Sequence, residues 1–156
     1  MTLNRRDLMG HSAKLAALLA SAGVLPQTAV TAHAAYNTAA FEMKTMTELV
    51  KALGGSAPLE SKDVTITGPD IAENGAVVLL GVSTALPGVK KLMLLVEKNP
   101  SVMSAMFDIS DAVEANFSTR VKMSQSSLEY AVAMMNDGKV LFAQKEVKVT
   151  LGGCGG

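Results

Sequence analysis

The chain holds a single cysteine, Cys154, within the run Gly152-Gly153-Cys154-Gly155-Gly156. A thiol is the most nucleophilic of the common side chains once ionised, and it can hold a substrate covalently through sulfur. Four glycines around it have the widest accessible backbone space and almost no bulk. The pattern therefore predicts a flexible arm over 152–156 on which only the thiol has chemical identity. At a maximum of about 3.5 Å per residue, the step from Leu151 to Cys154 gives the sulfur a reach on the order of 10 Å, enough to enter a narrow pocket of another protein. No cationic side chain lies in the arm, and the terminal carboxylate of Gly156 disfavours the thiolate, so activation is expected from a partner's pocket.

Other chemistry is bounded by what accompanies this thiol. The N-terminus reads Met1-Thr-Leu-Asn-Arg5-Arg6-Asp-Leu-Met, then an apolar stretch from Leu15 to Val24, then Thr31-Ala-His-Ala-Ala35. These are the three regions of a secretory signal, and the apolar stretch is about half the ~20 residues that span a bilayer. An amphipathic surface helix is the alternative reading. Arg5 and Arg6 match a twin-arginine export signal, whereas Asn4 and Leu8 depart from its preferred neighbours, which leaves the general secretory route open. Cleavage after Ala32-His33-Ala34 is expected to remove residues 1–34 and with them both histidines, His11 and His33. It would also take Arg5, Arg6 and Lys14 from 14 basic side chains and Asp7 from 14 acidic ones. The mature domain is then weakly acidic, and its charge implies neither nucleic acid nor an anionic membrane as partner.

Without histidine, and with one cysteine, the mature domain has no Ser-His-Asp or Cys-His catalytic pair. It has no zinc site of Cys/His type, no CxxC couple and no internal disulfide. Gly-rich phosphate loops are missing too. Asp108, Asp111 and Glu114 could supply carboxylate acid/base chemistry, but Asp108, Ser110 and Asp111 read better as part of a polar loop between strands. Met43 with Met46, and Met103 with Met106, could be drawn as copper-binding pairs. Flexible thioethers more often fill cores. A free thiol in an oxidising compartment is prone to overoxidation and intermolecular disulfides, so its place on such a tail suggests use.

The elements that must carry the arm follow from periodicity. Met43, Met46, Leu49, Val50 and Leu53 recur at helical spacing over Phe41 to Leu53, and Gly54-Gly55 stops the run, which predicts an N-terminal helix within residues 35–55. Short apolar runs separated by Gly, Pro, Asn and Asp then predict strands at Val64 to Thr67, Ala76 to Thr84, Lys91 to Glu97, Val102 to Asp108, Phe117 to Met123, Leu128 to Asn136 and Lys139 to Leu151. Seven such strands over 56–151 make a mainly β chain with an immunoglobulin-like β-sandwich. Asn136-Asp137-Gly138 is expected to supply left-handed conformations to the last hairpin. In the final strand Val147, Val149 and Leu151 alternate with Glu146, Lys148 and Thr150, the pattern of a half-buried strand that anchors the arm's base.

These features together resemble the SoxY family, the sulfur carriers of the periplasmic Sox system for thiosulfate oxidation. The resemblance covers most of the chain and rests on the exported N-terminus with Arg5-Arg6, Ile71-Ala-Glu-Asn-Gly75 before an apolar strand, Asn136-Asp-Gly-Lys139, and above all Val147-Lys-Val-Thr-Leu-Gly-Gly-Cys-Gly-Gly156. It implies that Cys154 is the attachment site for sulfur, that Gly152, Gly153, Gly155 and Gly156 let it swing, and that the chain itself has no catalytic residue and no cofactor. The implied partners are SoxZ as a stable companion and SoxAX, SoxB and SoxCD as transient enzymes. Two further readings stand beside this one. The first is a periplasmic immunoglobulin-like binding or chaperone module tethered by a disulfide through Cys154. The second is a carrier that takes sulfur on a C-terminal Gly-Gly carboxylate, which would need ATP.

Overall fold

The computed structural model describes residues 38–152, all within the compact unit Asn37–Gly156. Arg5, Arg6 and the expected signal segment, and Gly153, Cys154, Gly155 and Gly156 at the other end, lie outside the described residues.

The chain enters through a 3₁₀ turn, Thr38–Phe41, and an α-helix, α1, Met46–Ala52. The helix is shorter than the apolar spacing predicts. Thr45 caps it in a reciprocal box with Glu48, and the carbonyl of Met43 accepts the Val102 amide at 3.1 Å, which holds the preceding residues extended. At its other end Gly54, with φ +80°, lets the Gly54 and Gly55 amides donate back to the carbonyls of Lys51 and Val50. That is the left-handed glycine stop expected there.

Nine strands follow: β1 Leu59–Glu60, β2 Val64–Thr67, β3 Ile71–Asn74, β4 Val78–Thr84, β5 Val89–Val96, β6 Met103–Asp108, β7 Asn116–Val121, β8 Ser127–Met135 and β9 Val140–Leu151. One sheet runs β1-β9-β8-β5-β6 with β3 also on β9; the other is β2-β4-β7. The seven expected strands are all present, with β2 at its expected bounds and the ends of the others moved by at most two residues. β1 and β3 are additions, and both pair parallel to β9. In the β8–β9 hairpin only Gly138 takes positive φ, at +85°. Asn136 and Asp137 do not, because the Gly138 amide closes a turn on the Met135 carbonyl before the left-handed residue, so one glycine suffices.

The central strands of the larger sheet, β5 and β8, are buried on both faces. Toward the smaller sheet, Leu92, Leu94, Val96, Ala131, Ala133 and Val147 pack with Val78, Leu80, Val82 and Met123. On the opposite face Met93, Leu95, Val132 and Met134 pack under Leu49 and Val50 of α1. Two-sided burial explains why β5 reads Leu92-Met-Leu-Leu-Val96 without alternation. Met43, Met46, Met103 and Met106 join this second cluster, so the two methionine pairs fill the space beneath α1. Among the described residues no helix is long and apolar enough to cross a membrane.

Candidate functional site

The described structure ends where the predicted arm begins, and the chain is held up to that point. β9 is 12 residues long. From Val140 to Val147 it pairs with β8. Its other edge receives β1 at Leu141 and Phe142, then β3 at Lys148 to Leu151. Beyond Ser127 the β8 side has no strand left, and the Ser126 hydroxyl substitutes for it by accepting the Val149 amide at 2.9 Å. On the β3 side the Lys148 amide donates to the Asp70 carbonyl, the Thr150 hydroxyl donates to the Glu73 carbonyl at 2.8 Å, and the Gly75 amide donates to the Leu151 carbonyl at 2.7 Å. The motif Ile71-Ala-Glu-Asn-Gly75, noticed in the sequence only as a pattern, is the strand and turn that clamp the root of the arm. Gly75 also accepts the Met123 amide, tying this clamp to the loop after β7.

Side chains reinforce the clamp. Val147 is fully buried between the sheets and Val149 packs against the same core, while Leu151 is 63 % exposed. Lys145 donates to the Gly68 carbonyl at 2.6 Å and pairs with Asp70 at 2.9 Å, holding the turn that feeds β3. The hydrogen bond and charge of Lys145 lower the Asp70 carboxyl below its usual range.

Gly152 has a role the sequence did not reveal. Its backbone passes against the Ser124 carbonyl so closely that a Cβ would fall far inside van der Waals contact with that oxygen. The sequence places Gly152 with the free glycines of the arm, whereas the structure seats it on the domain and gives it a packing reason to lack a side chain. Ser124 is in turn joined to Asn99, whose Oδ1 accepts from both the Ser124 amide, at 3.2 Å, and its hydroxyl.

The other candidates lie elsewhere. Asp108 ends β6 and is ion-paired with Lys91 of β5. Asp111 and Glu114 line an open cleft of about 1030 Å³ with Asp63, Ser83 and Asn136. This cleft sits at the far end of the sandwich from Gly152, about 20 Å away along the seven residues of β4 at ~3.3 Å each. A thiol with a reach on the order of 10 Å cannot enter it. No group of three or more acidic, His or Cys side chains placed to hold a metal occurs among the described residues.

One buried acid was missed in the sequence. Glu129 of β8 is fully inaccessible, neither carboxylate oxygen has a hydrogen-bond partner, and burial raises its pKa to about 8. The available signal was its place in step with Ala131 and Ala133, which face the sandwich interior. Next to it, burial followed by the nearby Glu97 carboxylate raises the Tyr130 hydroxyl above its usual range.

Two packed sheets with a helix on the outer face of the larger one, and a last strand clamped to its end, define an immunoglobulin-like β-sandwich. The family described as "Sulfur oxidation protein SoxY" matches residues 49–154, and the chain belongs to this family. Among solved structures, the sulfur carrier protein SoxY from Chlorobium limicola f thiosulfatophilum is 34% identical with a TM-score of 0.60, over 67% of this chain and 94% of that one. A single-site variant of a superoxide reductase (neelaredoxin) from Ignicoccus hospitalis is 19% identical with a TM-score of 0.53, over 69% of this chain and 99% of that one, and shows the shared fold alone. No curated protein matches the chain.

Proposed function

We propose that this chain is a covalent carrier of sulfur intermediates in thiosulfate oxidation, with Cys154 as the attachment site and residues 153–156 as its travelling arm. The observation that carries the reading is the clamp on β9. It fixes the chain to the domain as far as Gly152 and leaves the glycine-flanked thiol as the next reactive group. Membership of the SoxY family and the 34% identity to a sulfur carrier protein support the same role.

In this reading the thiol does no chemistry by itself. A haem-containing SoxAX-type enzyme removes two electrons as the Cys154 thiolate and the outer sulfur of thiosulfate form an S–S bond, giving cysteine S-thiosulfonate. A SoxB-type hydrolase then adds water and releases sulfate, leaving a persulfide. A SoxCD-type enzyme oxidises that outer sulfur to the sulfonate level, and a second hydrolysis restores the thiol. The chain is exported to the periplasm through residues 1–34, by the twin-arginine route if Arg5 and Arg6 are read as that signal, and works beside a SoxZ-type companion.

Cys154→Ser tests the reading. The variant is expected to fold and to keep its companion, while intact mass after incubation with thiosulfate and the partner enzymes shows no sulfur adduct, because a hydroxyl is a far weaker nucleophile than a thiolate. Thiosulfate oxidation at the wild-type rate in that variant would overturn the proposal.

A further inference from the structure

Glu129 of β8 and Lys145 of β9 stand opposite each other in register, with their side chains on the same face of the sheet. Ala131 and Ala133, in step with Glu129, mark that face as the one toward the sandwich interior. Directly opposed residues have Cβ atoms about 5 Å apart, so the four-carbon stem of a lysine can bring its ammonium to a glutamate across the pair. Here it does not. The Lys145 ammonium turns away to the Gly68 carbonyl and the Asp70 carboxylate, while Glu129 is fully inaccessible with both oxygens unpartnered. The polar neighbour in step with it, Ser127, is engaged: its hydroxyl accepts the Lys98 amide and donates to the Leu128 carbonyl. From the other strands around this interior, β4, β5 and β7 supply Val78, Val96 and Val121, which do not titrate. Glu97, after β5, accepts from the hydroxyl of Tyr130, whose ring belongs to the opposite face. Glu73, Lys98, Arg120, Lys122, Glu146 and Lys148 are exposed. Among the described residues Lys145 is therefore the cation placed in register with the buried acid.

We propose that Lys145 is a two-position latch governed by Glu129: while the acid keeps its proton the ammonium holds the turn before β3, and once the proton leaves the ammonium swings inward to the carboxylate and lets that turn go. The inner position wins only after ionisation. The Asp70 side chain is 89 % exposed, so its pair with Lys145 is screened by water and individually weak. An ionised carboxylate without a partner in the interior costs several times as much, and the facing ammonium is the group that can relieve it. Neutral Glu129 exerts no such pull. Burial alone places its proton loss near pH 8, and the arriving ammonium, which favours the charged form, lowers that midpoint. The latch is thus shut below the midpoint and opens as pH rises through it. What it holds is the entry to β3. With Gly68 and Asp70 released, the Lys148 amide loses its anchored acceptor, the Asp70 carbonyl, and the parallel pairing of β3 with the end of β9 loosens from Ile71 onward. The device belongs to the folded domain and is independent of what Cys154 carries.

The experiment titrates the full exported chain by NMR from about pH 6 to pH 9.5. It follows the Glu129 carboxyl carbon, the Lys145 ε-carbon and the backbone amides of Gly68, Asp70, Ile71 and Lys148. All are expected to move with one midpoint, and protection of the Lys148 amide against hydrogen exchange is expected to fall about tenfold across it. In Glu129→Gln, which stays neutral, the turn amides should keep their low-pH positions throughout. In Lys145→Met the turn should take its released positions at every pH, and the Glu129 midpoint should rise by about one pH unit for want of a cation. This second variant keeps the test decisive if a buried amide at 129 prevents folding. A Glu129 titration that leaves the Lys145 carbon and the turn amides unmoved would overturn the latch. So would an unchanged turn response in Glu129→Gln, which would assign it to another group, or in Lys145→Met, which would route it through the backbone. A Glu129 carboxyl that stays protonated until the chain unfolds would overturn it as well.

Discussion

Glu129 lies in register with Val96 on β5 and Lys145 on β9, yet the Lys145 ammonium is committed to Gly68 and Asp70, so the carboxyl is left to the core as a neutral acid. Its folded pKa of about 8 stands above the ordinary 4.5, so between those values the folded chain holds a proton that the unfolded chain has released. The contribution of Glu129 to stability is therefore fullest below about pH 4.5 and falls as pH rises toward 8, by on the order of 4 kcal/mol at ~1.4 kcal/mol per unit. Urea unfolding at pH 5 and pH 8.5 should show this loss in the wild type and a much smaller one in Glu129→Gln; equal slopes in the two would reject the neutral buried acid. The thiol stands out in the sequence as one cysteine among four glycines, and its role rests on the proposal above. Glu129 was not legible, because α1 buries the opposite face of β8 and so Leu128-Glu-Tyr-Ala-Val132 shows no polar side against which an inward glutamate would stand out.

β9 gathers its neighbours in two stages, and the second stage is what the proposed function needs. Ser126→Ala should leave the Val149 amide without its acceptor, costing about 1–2 kcal/mol and speeding hydrogen exchange at Val149 more than at Val147. Gly152→Ala should force the strand end off Ser124, with a loss of about 1–3 kcal/mol in urea unfolding and faster exchange at the Gly75 amide that bonds Leu151. An alanine variant as stable as the wild type would show that Gly152 is not packed against that carbonyl in solution. The alternation of Val147, Val149 and Leu151 was legible and so was the position of β9. β1 and β3 were not: they are two and four residues long, their partners lie some 80 residues away, and Leu59 and Ile71 are exposed. The helix was legible in its packed residues, Leu49 and Val50, but its start was decided by a cap at Thr45 and a long-range bond from Val102 to Met43.

At the scale of the molecule, the sandwich separates two ends with different contents. The open acidic cleft lies at one and the clamped end of β9 at the other. A chain stopped after Gly152 should unfold within about 0.5 kcal/mol of the full one, since the described core and clamp are all retained, while losing every sulfur adduct by intact mass. A chain stopped after Val147 should be destabilised by several times that amount, because it loses the pairing of β9 with β3. The two-sheet architecture was legible because seven runs carried strand composition with turn residues between them. Which end held the clamp was not, because that follows from where β9 finishes relative to Asn99 and Ser124. The parallel seating of β9 against β3 has a mechanical side as well. A tug on the thiol travels along the axis of β9 and loads its cross-strand bonds to β3 and β8 together, in shear, instead of peeling them one after another. Under the carrier function proposed above, an enzyme would haul the cargo into its own cavity against tension that this seating resists.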